Sequence, residues 1–193
     1  MNKEIFLSGL VGFVLGVLLS PLLTPAMPGS WWYMGGQIDS HFIEQMIPHH
    51  EDAITMANLA LTKAEHEEIK ALSNDIIAAQ SKEIGEMKEW YKSWFGSEVP
   101  DLSSSLGHGG SMMMHGGVMG NEADITRLES AKPFDKAFIE EMVPHHQMAI
   151  MMANMLLRAT NRPEMKTLAQ NIITSQTKEI NQMLEWYDAW YVK

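Results

Sequence analysis

Two adjacent histidines recur in this chain in the same setting. PHHEDAITMAN, Pro48 to Asn58, comes back 96 residues later as PHHQMAIMMAN, Pro144 to Asn154. The offset holds without a gap from Phe42/Phe138 to Trp94/Trp190. In each copy a methionine precedes the first histidine by three residues and another follows it by seven: Met46, His49, Met56 and Met142, His145, Met152. On a helix of about 3.6 residues per turn these three positions fall within roughly 80° of one another, and His50 or His146 lies about 100° further round. On a straight helix one histidine of each pair therefore faces a bundle core and the other its flank or a neighbouring helix, unless the kink at the preceding proline brings them together. Thioether sulfur and imidazole nitrogen together favour Cu(I), and its analogue Ag(I), over hard cations. Thioethers carry no proton to lose, whereas the histidine ligands are expected to weaken as they protonate near pH 6.5.

The same donors gather again between the repeats, at His108, Met112, Met113, Met114, His115 and Met119, in a segment rich in Gly and Ser. No core needs filling there, so metal capture explains those methionines better than packing does. Two plainer readings stand beside this for the repeats. Methionine is a common core filler, and Met87 and Met183 read as core. The histidine pairs could also form a polar layer that sets helix register, with Gln80 and Gln176 as their partners.

The elements that must position these residues are helices. Phe42, Met46, His49, Ala53, Met56 and Ala60 recur at three- and four-residue spacing, as do Ile69, Leu72, Ile76, Gln80, Ile84, Met87, Tyr91 and Trp94. Gly35 and Gly36 are expected to break the chain before the first helix, with Asp39 or Ser40 as its cap. Pro48 removes one amide bond and is expected to kink the helix ahead of the histidines. The second copy repeats the pattern, with Ser130 and Pro133 opening its first helix and Pro163 its second. The expected fold is all-α: a four-helix bundle of two repeated αα-hairpins, residues 38–95 and 132–192. Residues 96–131 form a long, flexible, Met/His-rich crossover. The clusters Trp90/Tyr91/Trp94 and Trp186/Tyr187/Trp190 are expected to close one end.

Composition narrows the function. There are 17 Met, 8 His and no Cys, so disulfides and thiolate metal sites are excluded. A formal net charge of −10 disfavours nucleic-acid binding. Residues 1–30 hold an apolar run, Ile5 to Leu23, behind Lys3, and read as a signal peptide or membrane anchor. The expected location is periplasmic or otherwise outside the cytoplasm, with any membrane contact through that segment alone. No Ser/His/Asp set, phosphate loop or dinucleotide signature is present. A di-metal oxidase needs inward Glu-x-x-His pairs; here the repeated Glu44 and Glu140 lie five residues before their histidines. The chain is thus read as a binding protein, not an enzyme.

The doubled F-I-E-x-M-I/V-P-H-H-x-x-A-I-x-M-A, with Q-x-K-E-I and M-x-E-W-Y later in each unit, resembles a bacterial family known as a domain of unknown function. Its mark is the tandem Pro-His-His motif, and the likeness covers most of residues 38–192. That family is ferritin-like in fold, and some of its members bind copper outside the cytoplasm. The resemblance implies a periplasmic Cu(I)-binding protein of copper resistance and homeostasis. Such a protein lowers free copper or hands it to an efflux system or another periplasmic copper protein. Carried over by position, the candidate ligands are Met46, His49, His50, Met56, Met142, His145, His146 and Met152. The family pattern does not reach the crossover, whose ligands rest on chemistry alone.

Overall fold

The structure is a computed structural model. It describes residues 30–101 and 122–192, with side chains from residue 37 onward in the first helix and from residue 125 onward in the third. The leader, residues 1–30, and the crossover ligands His108, Met112, Met113, Met114, His115 and Met119 lie outside the described residues. Gly35–Lys193 forms one compact unit; of the other, Met1–Met34, only the start of the first helix is described.

Among the described residues every regular element is a helix: α1 (Ser30–Lys63), α2 (Glu67–Phe95), α3 (Glu122–Ser130), α4 (Phe134–Ala159) and α5 (Pro163–Tyr191). The apolar rows seen in the sequence are the buried ones. Ile69, Leu72, Ile76, Gln80, Ile84, Met87 and Tyr91 line the inner face of α2, and Met165, Leu168, Ile172, Gln176, Ile180 and Met183 that of α5. Both prolines are accommodated inside continuous helices, Pro48 in α1 and Pro144 in α4. α2 stops at Gly96, which takes the left-handed conformation (φ 73°) and donates its amide to the Lys92 carbonyl. Glycine holds that conformation without the strain a Cβ would bring.

Two expectations about boundaries change. Gly35 and Gly36 do not break the chain, because α1 continues back to Ser30. Two helical glycines cost about 1 kcal/mol each, which is too little to overrule their surroundings. Asp39 is accordingly no cap but a buried side chain paired with Arg162 (Nε to Oδ2, 3.2 Å). The segment between the repeats is also not all irregular. It ends in α3, whose Leu128 is buried and whose Ile125 packs on the same core. The third long helix starts only after Pro133.

The core divides into two clusters. One joins the second half of α1 (Ala53, Met56, Ala57, Ala60) and the start of α2 (Ile69, Leu72, Ile76) to the start of α4 (Phe134, Phe138, Met142) and the end of α5 (Ile180, Met183). The other joins the complementary halves: Phe42, Ile43 and Met46 of α1, Ile84, Met87 and Tyr91 of α2, Ala149 and Ala153 of α4, and Met165, Leu168 and Ile172 of α5. Each large side chain buried in these clusters stabilises the bundle by about 1.5–3 kcal/mol. The exchange of halves means that α1 and α4 run antiparallel and the repeats meet head to tail. Trp90, Tyr91 and Trp94 thus pack at one end of the bundle and Trp186, Tyr187 and Trp190 at the other. The aromatics do not close a single end, because antiparallel pairing sends equivalent positions in opposite directions.

Candidate metal centre

Between the two apolar clusters lies a polar layer built from the histidine pairs. His49 on α1 and His145 on α4 face each other, with ring centroids 3.7 Å apart and planes tilted by 37°. Small side chains one turn further along, Ala53 and Ala149, are fully buried and allow the two helices this close an approach. The partner of each first histidine is thus its own repeat equivalent.

The second histidines turn away, as the 100° step requires. The ring of His50 lies 6.4 Å from that of His49, and the ring of His146 lies 6.3 Å from that of His145. Each is held by a carboxylate from the following helix. His50 Nε2 lies 2.8 Å from Glu83 Oε2, and His146 Nε2 lies 2.7 Å from Glu179 Oε2. An ionised carboxylate only accepts, so the shared proton sits on Nε2, and Nδ1 has no protein partner. A carboxylate behind an imidazole is the usual device for orienting a metal-binding histidine.

What the layer leaves unpaired is informative. His49 and His145 have no protein hydrogen-bond partner at either ring nitrogen, and His50 and His146 have none at Nδ1. Six buried imidazole nitrogens are therefore uncommitted. Gln80 and Gln176, one turn before Glu83 and Glu179, are buried too, and their side-chain oxygens also lack partners. They do not pair with the histidines in the way a structural register layer would demand; the glutamates do. Burial pushes His49 down to about 3, with the neighbouring His50 and His146 adding to the effect. Burial likewise holds His145 well below the usual imidazole range. The central pair is thus neutral throughout the ordinary pH range. The expected loss of imidazole ligation near pH 6.5 belongs to solvated rings and does not apply to these two.

The methionines divide by position. Met46 and Met142, one turn before the facing histidines, are fully buried, one in each cluster. Met56 is buried in the core and Met152 is partly exposed at its edge. Met87 and Met183 are core residues, as read. Glu44 and Glu140 are taken by tyrosines: Tyr91 donates its hydroxyl to Glu44 (2.6 Å) and Tyr187 to Glu140 (2.8 Å). Among the described residues no group of three or more His, Asp or Glu side chains converges to hold a metal ion by those donors alone.

Glu83 and Glu179 each stand one residue off the apolar stripe, so apolar periodicity alone does not pick them out. The signal was the repeated Gln-x-x-Glu, which sets the carboxylate beside the buried row. Asp39, read from the sequence as a helix cap, and Asp135, not singled out there, keep the repeat offset just outside the gapless stretch.

Residues 39–187 match the family described as "Domain of unknown function (DUF305)". The chain belongs to this family. Among solved structures it is similar to CopM in the Cu(I)-bound form, with a TM-score of 0.67 and 47% identity over 79% of this chain and 97% of that one. CopM in the Cu(II)-bound form gives a TM-score of 0.70 and 48% identity over the same shares. A DUF305 fragment from Deinococcus radiodurans, 24% identical, has the same fold, with a TM-score of 0.63 over 77% of this chain and 93% of the fragment. A curated relative, "Uncharacterized protein L153" of Acanthamoeba polyphaga mimivirus, is 47% identical over 49 residues. That match covers 25% of this chain, and the chain spans about a third (32%) of the relative's length.

Proposed function

We propose that this DUF305 protein binds Cu(I), with Ag(I) as its analogue, through the buried histidine layer, and sequesters or chaperones copper outside the cytoplasm in copper resistance and homeostasis. The observation that carries this reading is the set of six unpartnered imidazole nitrogens at the centre of the bundle. An unsatisfied buried polar atom costs about 1–3 kcal/mol, so a layer that served only to set register would pair its own nitrogens. Neutral imidazole suits a soft monovalent ion, and Met46 and Met142 stand one turn away to add thioether donors. Glu83 and Glu179 orient His50 and His146 through Nε2 and leave Nδ1 without a protein partner. The likeness to CopM, solved with Cu(I), Cu(II) and silver, supports the choice of ion. In this reading the protein is a carrier rather than a catalyst. Its cargo is received from and passed to other copper proteins or an efflux system, and the apolar leader takes it across the cytoplasmic membrane.

The test is a paired substitution, His49→Leu with His145→Leu, in the full chain. Leucine matches the volume and removes four unpartnered nitrogens. The expected outcome is an apo protein at least as stable to urea as the parent, with Cu(I) affinity at least tenfold weaker in competition with a chelator. A structural register layer gives the opposite pair of results: a less stable bundle and unchanged metal affinity.

A further inference from the structure

The bundle hides its large apolar side chains well. Among the described residues only Met151, Met155, Leu184 and Val192 are prominent exceptions, and the two methionines are 50% and 60% exposed. They stand four residues apart on α4. Met148, also partly exposed, lies three residues before Met151, and Met152 lies at the edge of the core. With helical steps of about 100°, the four positions fall within roughly 100° of arc, on a flank turned about 110° from the core-facing row. They span about 10 Å along the axis, and adjacent members are about one turn apart, within reach of a flexible thioether chain.

Packing does not explain this flank. The equivalent positions in the first repeat are Asp52, Thr55, Met56 and Leu59, so the same helix folds in the same bundle with a single sulfur there. The second repeat places four. What the four share, and the first repeat's face lacks, is thioether sulfur on a mobile, solvent-reachable arm. Three such sulfurs around one point make a donor set for a soft monovalent ion, and no proton competes for it.

We propose that Met148, Met151 and Met155, with Met152 at the inner edge, form a second, solvent-facing site for Cu(I) or Ag(I) on the flank of α4. It is separate from the histidine layer. Because it lies open to solvent, it is where an ion can be loaded or surrendered without opening the bundle.

The test uses the full chain labelled with carbon-13 at its methionine methyl groups and titrated with silver nitrate. Resonances are assigned from single Met→Leu variants, which keep helix propensity and apolar volume. The expected result is a saturable shift of the Met148, Met151 and Met155 signals that persists in the His49→Leu, His145→Leu background. The triple variant Met148→Leu, Met151→Leu, Met155→Leu should retain the parent's helical circular dichroism and bind about one equivalent less silver. If these three signals stay in place while silver saturates elsewhere in the chain, the surface site is wrong and the histidine layer is untouched by that result. If they shift while the methyl signals of Met46 and Met142, one turn from the facing histidines, do not, the surface site stands and the reading of the buried layer falls. The unsubstituted chain supplies the decisive spectra, so a poorly folded variant does not blunt the experiment.

Discussion

Individual imidazoles stand buried and unpaired at the centre of the bundle, and their burial has a cost that can be read in solution. His49 is held at about 3 in the folded chain and sits near 6.5 when unfolded. Between these values the unfolded chain takes up a proton that the folded chain refuses. Stability is therefore complete above about pH 6.5 and falls as the pH is lowered towards 3. For His49 alone the loss at pH 5 is about 2 kcal/mol, and His145 adds to it in the same direction. Urea unfolding of the metal-free protein at a series of pH values should show this slope. The His49→Leu, His145→Leu variant should flatten it, while a slope set by surface carboxylates would survive the substitution.

The hairpins are locked together by an exchange between helix ends. Asp135, at the start of α4, accepts the backbone amides of Glu65 and His66 (3.0 and 2.8 Å) and lies 2.6 Å from His66 Nδ1. It thus pins the turn that leads into α2, whose N-cap residue His66 makes no side-chain cap bond of its own. The His66 ring in turn stacks on Trp190, 3.7 Å between centroids. At the other end the repeat substitutes Arg162 for His66 but keeps the plan. Arg162 pairs with Asp39 and lies over Trp94, 4.1 Å from the ring centre. His66 is therefore no lone residue of one repeat, as its sequence position suggests. Asp135→Ala should lower stability by about 2–3 kcal/mol, because it leaves the backbone amides of Glu65 and His66 without their acceptor. In a chain of this size that is a fall in melting temperature of roughly 5–10 °C, measurable by calorimetry. Asp135→Asn, which can still accept from the amides, should lose less.

At the scale of the whole molecule, two apolar clusters flank one buried polar layer with unpaired nitrogens. An ion that engages the layer binds the folded chain and not the unfolded one, so it must raise stability. At free Ag(I) a hundredfold above the dissociation constant the gain is about 2.7 kcal/mol. Thermal unfolding of the full chain with silver should move up by several degrees and return to the metal-free value when a chelator removes the ion. An unchanged midpoint under saturating silver would place the ion outside the cooperative unit and remove the layer from consideration.

The sequence by itself determined the helices, their buried faces and the two-repeat bundle. Apolar rows at three- and four-residue spacing can be buried in only one way, and a doubled pattern implies doubled hairpins. It also determined the donors, because Met and His without Cys restrict the chemistry to a soft ion with neutral ligands. Tertiary structure alone decided which donors meet. The antiparallel crossing of α1 and α4 sets His49 against its own equivalent, His145, and sends the terminal aromatics to opposite ends. It also brings Glu83 to His50, and Asp135 to His66, across separations of 33 and 69 residues. Such pairings depend on helix direction and rotation, which a single helical row does not encode. For the same reason the sequence left Gln80 and Gln176 as the histidines' expected partners. Only the packed bundle shows that the imidazole nitrogens at its centre are unclaimed.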